Sequence, residues 1–251
     1  MNTYQVNGVE YGLGCLPRTA PLGALPSLAD AITLIPRDQW RPRNDMPRLV
    51  PSVLNQGSHG ACVAFGCTQG VKVLRRIAGL PDVDLSSWDL YRRICGGRDA
   101  GASISDGLAA LRDEGVATLQ FCPSFTLSSK KLPEWKADAE KHKIQEWFDC
   151  PTREAIATAL QLGFVVPFGV PVTSSWEPGP DGWLSPRGGV RGGHCILGLG
   201  FASKDGRWGV PFVNSWTEGW GIKGWAIYPL DLIDNDYADA WAGRAVGYSS
   251  G

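Results

Sequence analysis

The apolar residues of this chain change their spacing near its middle, and this change constrains the fold more than any other feature. Between Cys62 and Ala78 they recur every three to four residues until "GLP" at 79–81 ends the pattern, which predicts a buried amphipathic helix. Beyond residue 163 they alternate with polar residues or form short apolar runs between glycines, as β-strands do. The pattern predicts an α+β fold with a mainly helical first half and a β second half.

Other segments fit the same division. Ser103 and Asp106 have the spacing of a capping box and Gly115 suits a helix end, while Thr152 and Gly163 could begin and end another helix. Helices are predicted over 85–94, 103–115 and 152–163, and strands over 164–172, 195–201, 210–216 and 224–229. The glycine-rich stretches 177–183 and 185–193 are predicted to be turns, and the Lys- and Glu-rich stretch 130–143 a connector.

The chain divides into three parts on this basis. Residues 1–50 are rich in proline and irregular, so they are expected to wrap over a surface more than to build one. We predict an extended leader or short pro-like segment over 1–35, a helical lobe over 36–140 and a β lobe over 141–251. The length allows two lobes to share one cleft.

Composition limits the function classes. Of 251 residues, 24 are basic and 25 acidic, so no broad charge attracts nucleic acid or an anionic membrane. No run of 18 apolar residues occurs, and the first residues do not resemble a secretory signal. A cytoplasmic protein is expected, although a protein of a virion or phage tail would show the same sequence features. The seven cysteines include no CxxC pair, so we expect mostly buried free thiols and neither a metal site nor a complete disulfide framework.

Cys62 stands at the start of the predicted helix, and this position suits a nucleophile. Only a thiolate attacks a carbonyl efficiently, and a helix N-terminus lowers the pKa of a thiol placed there. A histidine must accept the proton. Of the three histidines, His142 lies in the charged connector and is expected at the surface, and His59 is too close in sequence to face Cys62 easily. His194, where glycines give way to a strand, is the candidate base.

Two more side chains complete this chemistry. Asn214 lies at the end of another predicted strand, where its amide oxygen could hold one ring nitrogen of His194. Trp216 and Trp220 could cover that hydrogen bond. Gln56 could donate its side-chain amide, together with the Cys62 N–H, to the negative charge that develops on the attacked carbonyl oxygen.

The blocks that carry these residues resemble those of the papain-like cysteine peptidases. "NQGSHGACVAF", "GGHCILGLGF" and "VNSWTEGWGIKGW" occur in that family's order. The resemblance implies a helical lobe packed on an antiparallel β-barrel-like lobe, with Cys62, His194, Asn214 and Gln56 as catalytic residues in the cleft between them. It also implies that Gly101, Gly193 and Trp216 contact a peptide or protein substrate and that no cofactor is required.

The sequence departs from that family in four places. His59 replaces a disulfide cysteine, Val63 replaces a tryptophan, Thr217 replaces a glycine, and the leader is short. These features suggest a bacterial or phage type, and we expect residues 1–35 to form a covering segment and not a full inhibitory domain. The same four catalytic residue types could also serve an amidase, a peptidoglycan-cleaving enzyme or a transpeptidase. Val63 and Thr217 leave open a non-catalytic binding or structural module.

Overall fold

The computed structural model describes residues 2–18, 21, 25–128, 133–234 and 238–246, with side chains up to residue 244. The helices are α1 (Leu28–Ala31), α2 (Cys62–Ile77), α3 (Ser87–Ile94), α4 (Ile104–Asp113), α5 (Pro133–Ala139) and α6 (Arg153–Leu162). The strands are β1 (Asn2–Val6), β2 (Val9–Leu13), β3 (Ile144–Asp149), β4 (Val166–Ser175), β5 (Arg187–Gly198), β6 (Ala202–Lys204), β7 (Arg207–Val213), β8 (Trp225–Pro229) and β9 (Trp241–Val246). The predicted α+β fold is confirmed.

The helical half is built around α2, which is buried along most of its length. The predicted caps of two other helices are confirmed, because Ser103 Oγ accepts the N–H of Asp106 at 3.2 Å in α4 and Thr152 Oγ1 accepts that of Ala155 at 3.2 Å in α6. Gly163 ends α6 in the left-handed conformation, with φ +86°. Glycine adopts this conformation without the steric cost that a Cβ would bring. The caps therefore fix where these helices begin and end.

The β half contains an antiparallel sheet of order β4-β5-β7-β6, with β8 also paired to β7. The expected barrel-like closure is wrong for the described residues, because β5 pairs with β7 only at Leu197 and Gly198 and the outer strands do not pair with each other. Phe168 of β4 instead forms a bridge with Ala240, next to the separate β3–β9 pair. The sheet remains open and packs one face on α6.

Two segments differ from their predicted structure. The stretch 185–193 was expected to be a turn, yet most of it belongs to β5. Its glycines keep that strand free of side chains where the leader approaches, since a Cβ on Gly193 would lie 2.2 Å from the carbonyl oxygen of Cys15. The predicted connector contains α5, whose Trp135 is buried against Ala117 and Ala139.

The leader begins with a hairpin that the prediction of an irregular segment missed. Strands β1 and β2 pair from Asn2 with Leu13 to Val6 with Val9. The turn between them is Asn7-Gly8, with φ of 48° and 80°. Asn-Gly between alternating apolar residues is a strong hairpin signal, because this tight turn needs positive φ at both central positions. That dipeptide could have revealed the hairpin.

Among the described residues, no helix combines the length and apolar character needed to cross a membrane.

Candidate active site

Cys62 is the first residue of α2, as predicted, and it is fully buried. Backbone N–H groups of Cys195, Gly14 and Val63 favour the charged form of its thiol. Burial nevertheless raises the pKa of Cys62, and these N–H groups oppose that rise only in part. The closed state therefore disfavours the thiolate, whereas the position of Cys62 at a helix N-terminus predicts a lowered pKa.

His194 and Asn214 are brought together by the pairing of β5 with β7. His194 Nε2 lies 2.8 Å from Asn214 Oδ1, and both side chains are buried. The ring of Trp216 lies 4.5 Å from the imidazole and is itself buried, while Trp220 packs on Trp216 at 5.8 Å. Burial lowers the pKa of His194 to about 4, although Asn214 opposes this. The other ring nitrogen, Nδ1, has no hydrogen-bond partner among the described residues.

Gln56 is held on both sides of its amide group. Its Oε1 accepts a hydrogen bond from Ser215 Oγ at 2.7 Å, which ties it to the residue after Asn214. Its Nε2 donates to the carbonyl oxygen of His59 at 2.8 Å and to that of Gly12 at 2.9 Å. Gln56 therefore already binds two backbone carbonyls, and that of Gly12 belongs to the leader.

A sequence model described as papain family cysteine protease matches residues 37–231. The chain belongs to this family. Cathepsin B of Dictyostelium discoideum is 25% identical over 199 residues, which span 70% of this chain and 63% of that protein, less than two thirds of its length.

Solved papain-family structures share the fold. Xylellain, a cysteine protease from Xylella fastidiosa, superposes with a TM-score of 0.78 at 23% identity, covering 94% of this chain and 97% of xylellain. The bromelain protease from Ananas comosus superposes with a TM-score of 0.65 at 18% identity, covering 84% of this chain and all of that chain. At these identities the likeness shows the fold alone.

The leader of this papain-family chain crosses the residues predicted to bind substrate. Cys15 N–H donates to the carbonyl of Gly193 at 3.1 Å, and Leu16 N–H donates to that of Ala102 at 3.0 Å. The close approach depends on glycine, because a Cβ on Gly101 would lie 2.3 Å from the carbonyl oxygen of Gly14. Gly101 and Gly193 thus contact a peptide, but the peptide is part of the chain itself.

The hairpin covers the third predicted substrate-binding residue, Trp216. Tyr4 and Tyr11 both stack against its ring, with centroids at 5.6 and 5.4 Å. Tyr4 Oη also accepts the backbone N–H of Trp176 at 3.0 Å. Together these contacts shield Trp216 and the adjacent imidazole from water.

His59, the residue at the family's disulfide position, forms a polar network instead. Its Nδ1 lies 2.8 Å from Asp99 Oδ2, and Asp99 Oδ1 accepts hydrogen bonds from Tyr91 Oη at 2.5 Å and from the Gly60 N–H at 3.0 Å. This network joins the turn before Cys62 to the segment that leads to Gly101. Asp99 was not singled out from the sequence, and no motif points to it.

The predicted surface position of the remaining histidine, His142, is wrong. His142 is 6% exposed and not a solvated surface residue, because it packs beside α2 with its Nδ1 3.3 Å from Arg75 Nη1. Burial, with the positive charge of Arg75, lowers the pKa of His142 to about 4. All seven cysteines are free and buried, so their predicted burial is confirmed.

Proposed function

We propose that this protein is a cysteine peptidase that cleaves peptide bonds. The observation that carries the proposal is the pair His194 and Asn214, joined at 2.8 Å beside the ring of Trp216. The N–H of Cys195, the residue after His194, favours the thiolate form of Cys62. A buried amide oxygen that fixes one imidazole nitrogen leaves the other free for proton transfer. Nδ1 of His194, which has no hydrogen-bond partner in the part of the chain that the structure describes, is available for that task.

The proposed reaction assigns one role to each residue. Cys62 Sγ attacks the carbonyl carbon of the peptide bond after His194 takes its proton, and the oxyanion is held by Gln56 Nε2 and the N–H of Cys62. His194 then donates the proton to the leaving amine, which leaves an acyl group on Cys62. A water molecule, deprotonated by His194, hydrolyses this thioester and restores the thiol. Support for the role of Gln56 comes from its hydrogen bond to the Gly12 carbonyl.

We further propose that the leader keeps the enzyme latent. Residues 12–16 occupy the positions where a substrate would lie, and they leave Cys62 fully buried. Burial opposes charge on both Cys62 and His194 in this state, so the thiolate and imidazolium forms are both disfavoured. Displacement of the leader would readmit water and remove that cost.

Mass spectrometry after exposure to an epoxide thiol inhibitor tests the nucleophile. It is applied to Gly14→Ala, because a Cβ at position 14 would clash with the carbonyl oxygen of Gly60 and displace the leader from Cys62. We expect covalent capture at Cys62, which is lost in the Cys62→Ala variant. The control substitution is Cys67→Ala, because Cys67 lies in the same helix and is buried against Gly107 of α4. Equal labelling of several cysteines, or labelling that survives Cys62→Ala, would favour a non-catalytic module.

The alternative enzyme activities can be distinguished by their products. An amidase, a peptidoglycan-cleaving enzyme or a transpeptidase would use the same acyl-enzyme chemistry on another bond or acceptor. Incubation with a complex peptide mixture distinguishes them, since a peptidase yields new peptide termini. A protein that is labelled at Cys62 but yields no new termini would instead support one of those enzymes.

A further inference from the structure

A basic side chain of the leader, Arg18, lies shortly after the hairpin and is bound in a buried acidic site. Arg18 Nη1 donates to Asp149 Oδ1 at 2.7 Å, and its Nη2 pairs with Asp149 Oδ2. Both side chains are only 2% exposed. The guanidinium carbon lies 4.7 Å from the ring centroid of Trp241, and Nη1 also contacts the carbonyl of Ala238 at 3.4 Å. Paired hydrogen bonds and an aromatic face are what a guanidinium prefers.

A second buried carboxylate lies beside this site. Asp239 Oδ1 accepts the indole N–H of Trp241 at 2.9 Å, and its backbone carbonyl accepts the N–H of Gly169 at 2.8 Å. Burial raises the pKa of Asp239, and the hydrogen bond from Trp241 and the charge of Arg18 oppose that rise. One guanidinium therefore compensates two acidic side chains.

The acidic site connects to the part of the cleft that Cys15 occupies. A Cβ placed on Gly169 would lie 3.0 Å from Asp239 Oδ2 and 3.2 Å from Cys15 Sγ. Because residue 169 is glycine, no side chain of β4 separates Cys15 from Asp239 there. Cysteine is short, so a longer side chain at the same point in the cleft would extend towards the two carboxylates.

We propose that Asp149, Asp239 and Trp241 form a binding site for an arginine side chain of the peptide substrate, which Arg18 of the leader occupies until the leader is displaced. Removal of Arg18 would take away the guanidinium that pairs with the buried Asp149, and loss of one partner of a buried ion pair is strongly unfavourable. An incoming arginine restores the same paired hydrogen bonds, whereas lysine supplies only a point charge. The inference depends on the proposed peptidase function in one respect only, namely that the arginine side chain would come from a peptide substrate.

Calorimetry on catalytically silent full-length chains tests the site without any turnover. The probes are acetyl-arginine amide and the uncharged, nearly isosteric acetyl-citrulline amide, titrated into Cys62→Ala and into Cys62→Ala with Arg18→Ala. We expect the double variant to bind the arginine compound at least 10-fold more tightly than the citrulline compound, and the single variant to bind neither. Adding Asp149→Asn should abolish the difference, and the control Glu146→Gln, an exposed acid of the same strand, should leave it unchanged. Equal binding of the two compounds would overturn the proposal.

Cleavage of a proteome-derived peptide mixture gives a second readout. With Arg18→Ala, or with Gly14→Ala should the first variant not fold, we expect arginine to be enriched at one fixed position on one side of the cut. Asp239→Asn should remove that enrichment while Cys62 labelling persists. Cleavage without any preference for basic residues would contradict the arginine site but not the peptidase function. Selective arginine binding without any cleavage would contradict the peptidase function but not the arginine site.

Discussion

Thr217 has a backbone conformation that β-branched residues rarely adopt. Its φ is 63°, in the left-handed region, at the position where the related peptidases have glycine. Such strain costs on the order of 1–3 kcal/mol, and the hydrogen bond from the Gly219 N–H to Thr217 Oγ1 at 3.2 Å recovers part of it. The sequence revealed the substitution, and the structure shows that it introduces strain two residues after Ser215.

Replacing Thr217 with glycine should stabilise the protein. We expect Thr217→Gly to raise the free energy of unfolding by about 1 kcal/mol, since glycine adopts this φ without steric conflict. Urea denaturation with matched m-values measures this change. Glu218→Gly is the control, because Glu218 is exposed and has no positive φ, and it should not stabilise the protein. A loss of stability in Thr217→Gly would show that the threonine side chain contributes more than the strain costs.

At the scale of elements, what the sequence could predict depends on how local the signal is. The helices α2, α4 and α6 follow from apolar spacing and from caps only a few residues away. The pairing of β3 with β9, which joins residues some hundred positions apart, carries no local signal and was missed. In the candidate site, Cys62, His194 and Asn214 could be predicted because each lies in a recognisable sequence motif. Asp149 and Asp239 are single acids that only the fold brings together.

The leader hairpin should be held in place largely by its two tyrosines. Tyr11 is 5% exposed and stacks on Trp216, so Tyr11→Ala removes a large buried contact. We expect amide hydrogen exchange over residues 2–13 to become at least 10-fold faster in this variant. Val9→Ala is the control, because Val9 lies in the same strand but is 50% exposed. Unchanged exchange in Tyr11→Ala would mean that other contacts hold the leader in the cleft.

For the whole molecule, two buried histidines link stability to pH. The pKa of His142 and that of His194 are lowered to about 4 from an ordinary value of 6.5. A histidine with a lowered pKa in the folded state stabilises that state fully above pH 6.5, and this contribution is lost as the pH falls from about 6.5 to about 4. For His194, acid should favour states in which the leader has left and the imidazole is hydrated.

We expect the free energy of unfolding to fall between pH 7 and pH 5 by about 2 kcal/mol for each buried histidine. Replacing His142 with glutamine, which does not protonate, should remove its share of that loss. Urea denaturation at several pH values measures the slope, with Lys141→Gln as a control because Lys141 is the exposed neighbour of His142. If His142→Gln loses as much stability as the unchanged chain, then His142 is not the titrating group.

The central claim is that a competent thiol peptidase lies beneath a leader that blocks it, and Gly14→Ala tests it most directly. A Cβ on Gly14 would lie 2.1 Å from the carbonyl oxygen of Gly60, so alanine displaces the leader while every residue of the cleft walls is kept. The measurement is the initial rate of hydrolysis of a mixture of quenched fluorescent peptides, with Val9→Ala as the control. We predict a rate at least 10-fold higher than that of the unchanged chain, abolished by adding Cys62→Ala. A folded Gly14→Ala protein that is no faster, or hydrolysis that survives Cys62→Ala, would contradict the account.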